Sequence, residues 1–346
     1  MKTEIISCLP DHPETWEYAV EKASAYITSG ELVAIPTETV YGLAGSALYS
    51  TAAEKIYAAK GRPSDNPLIV HVAYPADAEK YAYPTPLFYT LAERFMPGPL
   101  TIILPKRHVI PDTVSGGLDT VAIRCPSHPI AHRLIEVSGH PIAAPSANRS
   151  GKPSCTTAAH VYEDLDGKIP LILDGGICAI GVESTVISVA ENRCTILRPG
   201  AITREMLSTV CRDVEVSDAV VHPEKAGDKP LSPGMKYKHY APDCQVILLD
   251  GTLDECRKYI LTNAKENTGV LWYEEERNLF PNIAFLSLGT YKDEAEHDKR
   301  LFSLLREADS RSLRVLYAKL PDTTGVSLAY YNRIIRAAGG VIHKLS

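Results

Sequence analysis

Leu32-Val33-Ala34-Ile35 is an apolar run that leads directly into the polar stretch Pro36-Thr37-Glu38-Thr39-Val40-Tyr41-Gly42-Leu43. The apolar run predicts a buried strand, which ends at Pro36 because proline cannot donate a hydrogen bond to a sheet. Open α/β sheets bind ligands in polar loops at strand ends. The two runs together predict an α/β fold with a ligand site here, although a helix cap and turn at Thr37 is an equal alternative for this segment alone.

Helices and strands extend from this segment in both directions. Residues 14–29 carry apolar side chains at helical spacing, and Gly30 follows as a helix-ending residue. Further helices are predicted at residues 52–59, 87–95 and 131–138. Further strands are predicted at residues 68–72, 100–104, 120–124, 141–144, 171–174, 185–189 and 194–198. Strands outnumber helices, so residues 1–215 are predicted to form a mixed-sheet α/β domain.

The chain changes character over residues 216–243, which contain four prolines and read as a linker. Residues 244–346 then alternate regularly between strand and helix patterns. This alternation predicts a smaller, doubly wound, Rossmann-like α/β domain. It lacks a G-x-G-x-x-G turn, so dinucleotide binding there is not supported.

Composition excludes several classes of protein. The 346 residues carry a formal net charge of −6, whereas proteins that track nucleic-acid phosphates carry a positive excess. No segment approaches the roughly 18 apolar residues of a membrane helix, and the N-terminus lacks the apolar core of a signal peptide. The 8 cysteines are scattered without a C-x-x-C pair. This spacing indicates reduced thiols and a cytoplasmic location.

Three segments place cations where phosphates could bind. Lys60 and Arg62 flank a glycine in K-G-R-P-S-D-N-P-L, and Arg124 and Arg198 each end an apolar strand. Four cations in loops of a net acidic domain indicate a focused anion site. Two charges alone would favour a solvated turn at residues 60–67, and no Walker loop is present.

Polar side chains elsewhere could complete such a site. His71 interrupts an apolar strand, a position where a histidine is more often a hydrogen-bonded core residue. Ser146 and Asn148 alternate where another strand breaks up, so both could face one ligand, although an Asx or Ser turn is the simpler alternative. No histidine and acid pattern marks Ser146 as a nucleophile. Hydrogen bonding to a ligand is therefore its expected role.

Six strings occur in order between residues 36 and 187: P-T-E-T-V-Y-G-L, K-G-R-P-S-D-N-P-L, M-P-G-P-L-T, V-A-I-R-C-P, A-A-P-S-A-N-R-S-G and G-V-E-S-T-V. Together they resemble the threonylcarbamoyl-AMP synthase family, the YrdC-domain proteins. The string S-P-G-M-K-Y-K-H-Y-A-P at residues 232–242 and the extra domain match the longer, two-domain members. One departure is Met96, where the family usually has tryptophan.

The resemblance implies a fold and an activity. The fold would be a YrdC-like mixed twisted sheet with helices, followed by the Rossmann-like domain. The activity would be that of a nucleotidyltransferase that converts L-threonine, bicarbonate and ATP into L-threonylcarbamoyladenylate and pyrophosphate. The product would serve the threonylcarbamoyladenosine modification of tRNA next to the anticodon.

The resemblance also assigns residues. The implied catalytic residues are Lys60, Arg62, Ser146 and Asn148. The implied L-threonine contacts are Thr37, His71, Arg124 and Ser184. The implied ATP contacts are Lys60, Ser64, Thr120, Ser146, Ser154, Arg198 and Tyr237. Mg²⁺ is expected to arrive with ATP and to bridge phosphate oxygens without ligands from protein side chains.

The implied partners are ATP, L-threonine, bicarbonate and the proteins that transfer the threonylcarbamoyl group to tRNA. Weak direct contact with tRNA stays open, and no membrane partner is expected. Residues 232–240 are hypothesised to fold over the site as a lid that excludes water.

Three other functions stay open. An RNA-binding module is disfavoured by the acidic first domain. Carbamoyl transfer in metal-cofactor maturation uses a similar domain, but accompanies zinc-type cysteine pairs that this sequence lacks. An amino-acid sensor is a third reading, for the second domain only.

Overall fold

The structure is a computed structural model, and it describes residues 2–9, 13–222 and 240–345. Within these ranges, eleven strands form one mixed sheet and five strands form a second, parallel sheet. The predicted α/β class, with a mixed first sheet and a smaller second α/β domain, is confirmed. None of the helices in the described ranges combines the length and the apolar character needed to cross a bilayer.

The first sheet and its helices occupy residues 4–221. The strands are β1 (Glu4–Ser7), β2 (Val33–Ile35), β3 (Gly42–Ser46), β4 (Ile69–His71), β5 (Leu100–Pro105), β6 (Thr120–Arg124), β7 (Ile142–Ala143), β8 (Leu171–Asp174), β9 (Thr185–Ala190), β10 (Arg193–Arg198) and β11 (Asp213–Val216). The helices are α1 (Pro13–Thr28), α2 (Ser50–Lys60), α3 (Pro86–Phe95), α4 (Asp112–Ser115), α5 (Pro129–Ser138), α6 (Ala158–Leu165), α7 (Arg204–Ser208) and α8 (Asp218–Val221), with a 3₁₀ segment at Pro75–Lys80.

The second sheet follows the same alternation that the sequence predicted. Its strands are β12 (Gln245–Asp250), β13 (Thr268–Trp272), β14 (Ala284–Ser287), β15 (Val315–Lys319) and β16 (Ile342–Lys344). Its helices are α9 (Leu253–Asn263), α10 (Glu294–Ser310) and α11 (Ser327–Ala337), with a 3₁₀ segment at Glu274–Leu279. The strand order is β14-β13-β15-β12-β16.

Strand pairing in the first sheet brings the ends of several strands together at one end of the sheet, called its polar edge below. The sheet runs β1-β8-β2-β3-β7-β4-β6-β5-β9-β10-β11. β4 and β6 are parallel and end together, with His71 opposite Arg124. β5 runs the other way, so its start lies beside the end of β6, and β9 starts beside it in parallel. This edge is therefore where polar side chains can meet outside the core.

Helix α2 ends at this edge for a local reason. Gly61 takes a left-handed conformation with φ of 62°, and its N–H bonds to the carbonyls of Ala58 and Tyr57. Glycine adopts this conformation without the steric cost that other residues bear. The helix stops there, and Lys60, its last residue, is 3% exposed and faces inward.

Several elements differ from the sequence-based prediction. Residues 42–46 form β3, which pairs antiparallel with β2 and includes the last two residues of the stretch 36–43 that was assigned to a polar loop. The loop is therefore shorter and turns the chain back on itself. Residues 218–221, predicted as linker, form α8, which follows β11 at the end of the first sheet.

An apolar core connects the two domains. Val40 and Val182 belong to loops of the first domain, yet they pack in the apolar cluster that contains Leu301 and Phe302 of α10. Tyr240 joins the same cluster, with its ring 5.2 Å from that of Phe302. Loops at the polar edge of the first sheet therefore pack against the second domain.

Candidate active site

One cleft opens at the edge where β4 and β6 end. It is lined by eight of the side chains that the sequence analysis assigned to the site. These are Thr37, Lys60, Arg62, His71, Arg124, Ser146, Asn148 and Arg198. The four cations among them share one cavity, as the sequence predicted.

Arg124 is held by the loop that follows β2. Its Nη2 donates to Thr39 Oγ1 at 2.9 Å and lies 2.8 Å from Glu38 Oε1. Burial opposes ionisation of Glu38, but the ion pair with Arg124 and nearby hydrogen bonds outweigh it and hold the pKa of Glu38 below its ordinary value. Arg124 Nε is buried and has no acceptor among the described residues. A buried donor without an acceptor is costly, so this edge of the guanidinium suits a carboxylate.

His71 is neutral at physiological pH. Burial and, next, the charge of Arg124 lower the pKa of His71 to about 3. Its Nδ1 lies 3.3 Å from the carbonyl of Ile142, and a carbonyl can only accept, so Nδ1 carries the proton. Nε2 is then an acceptor, which suits an ammonium or hydroxyl group of a ligand.

Thr37 lines the cleft, but its hydroxyl is occupied by its own loop. It donates to the Val40 carbonyl at 2.6 Å and accepts from the Val40 N–H at 3.2 Å. It also lies 2.8 Å from Thr39 Oγ1. Thr37 therefore shapes the loop that holds Arg124, and its direct contact with L-threonine stays a prediction.

Lys60 fastens helix α2 to the loop after β7. Its Nζ donates to the carbonyls of Ser146 at 2.6 Å and Asn148 at 2.5 Å. Burial and, next, the charge of Arg62 lower the pKa of Lys60 to about 7. Arg62 is half-buried and its Nη2 donates to the carbonyls of Asn66 and Pro67. Both side chains are thus anchored to backbone carbonyls of the loops that border the cleft.

Asn148 has a defined orientation. Its Nδ2 donates to the carbonyls of Arg149 at 2.7 Å and Lys152 at 2.9 Å, which identifies the other amide atom as the oxygen. Asn148 Oδ1 is buried and has no partner among the described residues. An amide oxygen can only accept or bind a cation, so this atom calls for an N–H, an O–H or a metal ion from the ligand side.

Arg198 ends β10 and is clasped by the residue that precedes β9. Its Nε donates to the Ser184 carbonyl and its Nη2 to Ser184 Oγ, both at 3.0 Å. Ser184 Oγ also lies 2.8 Å from Thr101 Oγ1. Burial is the main cause that lowers the pKa of Arg198 to about 10, so it keeps its charge at neutral pH.

Five assigned residues are not among those that line the cleft. Ser184 and Ser154 are fully buried behind it, and Ser154 Oγ donates to Glu183. Ser64 is exposed, and Thr120 lies at the opposite end of β6 from Arg124. Tyr237 lies outside the described residues, as does most of the predicted lid. The ligand contacts assigned to these residues stay predictions.

Three ionisable side chains that line the cleft were not assigned to the site from the sequence: Lys152, Glu183 and Tyr240. Glu183 belongs to the quoted string G-V-E-S-T-V, but its buried position could not be recognised there. Lys152 Nζ lies 2.5 Å from Asp243 Oδ2 and 3.6 Å from Asp309 Oδ2, so its charge is shared with the second domain. Tyr240 was noted only as part of the lid, and it is 5% exposed.

The charges of the cleft favour a polyanion. Two carboxylates lie close to the arginines of the cleft, and each is paired with an arginine: Glu38 with Arg124 and Glu183 with Arg333. Among the described residues, no group of three or more His, Cys, Asp or Glu side chains could hold a metal ion. The cleft therefore places cations that suit phosphates beside an arginine whose free edge suits a carboxylate.

Comparisons with known proteins agree with this chemistry. Residues 25–200 match the family model Sua5_yciO_yrdC, described as telomere recombination, and residues 202–339 match the one described as the C-terminal domain of threonylcarbamoyl-AMP synthase. The threonylcarbamoyl-AMP synthases of Pyrococcus abyssi and Bacillus subtilis are each 44% identical to this chain. Both alignments cover 95% of this chain and 96% of the relative.

Solved structures show the same architecture. The crystal structure of P. abyssi Sua5 complexed with L-threonine is 42% identical and matches with a TM-score of 0.91. The match covers 99% of this chain and all of the other. Both domains and their arrangement are thus shared with a protein that binds L-threonine.

Proposed function

This chain belongs to the threonylcarbamoyl-AMP synthase family, and from that premise we propose that it converts L-threonine, bicarbonate and ATP into L-threonylcarbamoyladenylate and pyrophosphate. The product serves the threonylcarbamoyladenosine modification of tRNA next to the anticodon. The observation that carries the proposal is the single cleft in which Arg124 and His71 lie beside Lys60, Arg62 and Arg198.

The reaction has two covalent steps. The amine of L-threonine attacks the carbon of bicarbonate, and loss of water leaves a carbamate. A carbamate oxygen then attacks the α-phosphorus of ATP, and the bond to the β-phosphate oxygen breaks to release pyrophosphate. Such transfer depends mainly on positioning and on stabilising charge, which fixed cations can supply.

The amino-acid half of the cleft centres on Arg124. Its acceptor-free Nε can donate a charge-assisted hydrogen bond to a carboxylate, while Nη2 stays engaged by Thr39 and Glu38. Neutral His71 can accept a hydrogen bond from the amine or the hydroxyl of L-threonine. Because the imidazole is neutral, it adds no positive charge next to the amine that attacks bicarbonate.

The phosphate half uses the remaining cations. Lys60 and Arg62 come from the end of α2, and Arg198 comes from the end of β10. Because all three are fixed by hydrogen bonds to protein carbonyls, they need little reorganisation when charge develops on the phosphates. Lys60, Arg62 and Arg198 are therefore assigned to the triphosphate and the leaving pyrophosphate.

Mg²⁺ fits this donor set as a companion of ATP. Asn148 Oδ1, buried and without a partner among the described residues, is a hard oxygen that could coordinate Mg²⁺ or accept a hydrogen bond from one of its waters. Direct coordination would depart from the expectation that no protein side chain binds the metal ion. Bound to ATP, Mg²⁺ would neutralise phosphate charge. The carbamate N–H is the other group of the reaction that could satisfy the same oxygen.

The cellular setting follows from the reaction. Proteins that transfer the threonylcarbamoyl group to tRNA would consume the product, and we place the enzyme in the cytoplasm beside them. All eight cysteines are buried and free, which supports a reducing compartment.

Pyrophosphate release from the full-length protein tests this function. Release should require ATP, L-threonine and bicarbonate together, and should fall to background when either L-threonine or bicarbonate is omitted. Release without L-threonine, or carbamoyl phosphate replacing L-threonine and bicarbonate, would contradict the proposal.

A matched pair on one strand tests the phosphate site. Arg198→Gln should weaken ATP binding at least tenfold, because it removes a buried cation from the cleft. Arg193→Gln is the control, since Arg193 begins the same strand and its side chain is 56% exposed. Equal ATP affinity in the two variants would show that the triphosphate does not bind beside Arg198.

A further inference from the structure

One arginine of the second domain reaches the wall of the cleft. Arg333 lies on α11 and is 0% exposed. Its Nε donates to Glu183 Oε2 at 3.1 Å, and its Nη2 donates to the Glu183 carbonyl at 3.2 Å. Its Nη1 donates to the Pro199 carbonyl at 2.5 Å. All three nitrogens of the guanidinium thus hold backbone or side chain of the first domain.

The segments that Arg333 holds are those that present Arg198 to the cleft. Glu183 precedes Ser184 and Pro199 follows Arg198 in the chain. Arg198 and Ser184 are in turn joined by two hydrogen bonds of 3.0 Å. Arg333 therefore holds the residue next to Ser184 and the residue next to Arg198, and so fixes both members of the hydrogen-bonded pair that they form.

Arg333 also compensates the charge of Glu183. Burial opposes ionisation of Glu183, but the charges of Arg333 and then Arg198 hold its pKa below the ordinary value. Asp298 is another buried acid whose pKa the charge of Arg333 lowers, but burial outweighs that charge and raises the pKa of Asp298 to about 8. Glu183 is thus the ionised partner at neutral pH. Because Glu183 lines the cleft, its uncompensated charge would repel a triphosphate and compete for Arg198.

We propose that Arg333 is a positioning residue for the nucleotide half of the active site. It neutralises Glu183 and fixes the wall that carries Arg198, so that the second domain prepares the ATP site without touching the substrate. This inference rests on the proposed function for the identity of the nucleotide. It gives the second domain a defined role in the reaction.

A general role in holding the domains together is the competing explanation, and the same helix offers a control. Tyr331 Oη donates to the Val221 carbonyl at 3.3 Å, which is an interdomain contact away from the cleft wall. Tyr331→Phe removes that hydrogen bond and leaves Glu183 and Pro199 untouched. Comparing the two positions separates positioning of the site from simple domain contact.

The experiment measures the affinity of full-length variants for a non-hydrolysable ATP analogue and for L-threonine by calorimetry, beside kcat and KM. Arg333→Gln should weaken binding of the analogue at least tenfold and leave the affinity for L-threonine within threefold. Arg333→Lys should recover part of the loss, because it restores the charge without the three hydrogen bonds. Tyr331→Phe should bind both ligands like the wild type.

If the Arg333 variants fold poorly, chemical rescue with guanidinium tests the same proposal. Added guanidinium should restore both the thermal stability of Arg333→Gly and its affinity for the analogue. Wild-type affinity in folded Arg333→Gln, equal losses for both ligands, the same loss in Tyr331→Phe, or rescue of stability alone would each overturn the proposal. Wild-type protein that releases no pyrophosphate would instead refute the proposed function, since the affinity comparison needs no turnover.

Discussion

Binding of ATP should transfer a proton from solvent to Lys60. In the free protein, burial and the charge of Arg62 lower the pKa of Lys60 to about 7. Its Nζ donates to two carbonyls, those of Ser146 and Asn148, and a neutral amine can also make both bonds because it keeps two N–H groups. A triphosphate in the cleft favours the ammonium form, whose third N–H can then bond to a phosphate oxygen.

The size of the effect follows from the pKa. An amine with a pKa of about 7 is roughly 90% deprotonated at pH 8 and roughly 10% deprotonated at pH 6. If the complex returns Lys60 to its ordinary pKa of about 10.4, it is protonated at both pH values. ATP binding should therefore take up about 0.9 proton at pH 8 and about 0.1 proton at pH 6.

Calorimetry in buffers of different ionisation enthalpy measures this proton. The observed enthalpy plotted against the buffer enthalpy has a slope equal to the number of protons taken up. Lys60→Met should bring the slope at pH 8 close to zero. Asp298→Asn should leave it unchanged, which matters because burial raises the pKa of Asp298 to about 8. A wild-type slope near zero at pH 8, or an unchanged slope in Lys60→Met, would refute the reasoning.

Three further predictions concern stability and L-threonine. The folded-state pKa of Asp298 lies above its unfolded value of 3.8, so its contribution to stability is full below pH 4 and is lost as the pH rises to about 8. Between pH 4 and 8 this group should lower the free energy of unfolding by an amount on the order of 5 kcal/mol, at about 1.4 kcal/mol per pKa unit. Denaturant titrations of Asp298→Asn should not show this decrease. Gly181→Ala should lower Tm, with a cost of about 1–3 kcal/mol, because its Cβ would lie 2.4 Å from Lys299 Cα at a φ of +86°. Arg124→Lys should raise the KM for L-threonine about tenfold and leave ATP affinity unchanged, because lysine lacks the planar fork; an equal loss for both ligands would contradict this.

The sequence predicted the site best where a strand or helix ended in a charged residue. Arg124 and Arg198 follow apolar runs, and such a residue must lie at the rim of a sheet or be paired. Parallel pairing of β4 with β6 then brings His71 beside Arg124. The position of the four cations in loops at strand ends was enough to predict a shared anion site, whereas the pairing of β4 with β6 is known only from the structure.

Contacts between residues that are distant in the chain could not be predicted from local sequence patterns. The hydroxyl of Thr37 and that of Ser184 could each face a ligand or a neighbour, and only the folded geometry shows that neighbours occupy them. Glu183 meets Arg333 across 150 residues of sequence, and no spacing rule relates the two. β3 was missed because its residues are small and follow a loop signal, so its strand character comes from pairing with β2.

The apolar cluster that joins Val40 and Val182 to Leu301 and Phe302 is shared by the two domains, and we expect the domains to unfold together because of it. Melting of either domain would uncover aliphatic surface belonging to the other, so calorimetric heating should give a single endotherm. A fragment that ends near residue 222 would expose that surface permanently, and self-association is its expected fate in solution. The thermal stability of the whole chain therefore depends on the two loops that carry Val40 and Val182 beside the cleft.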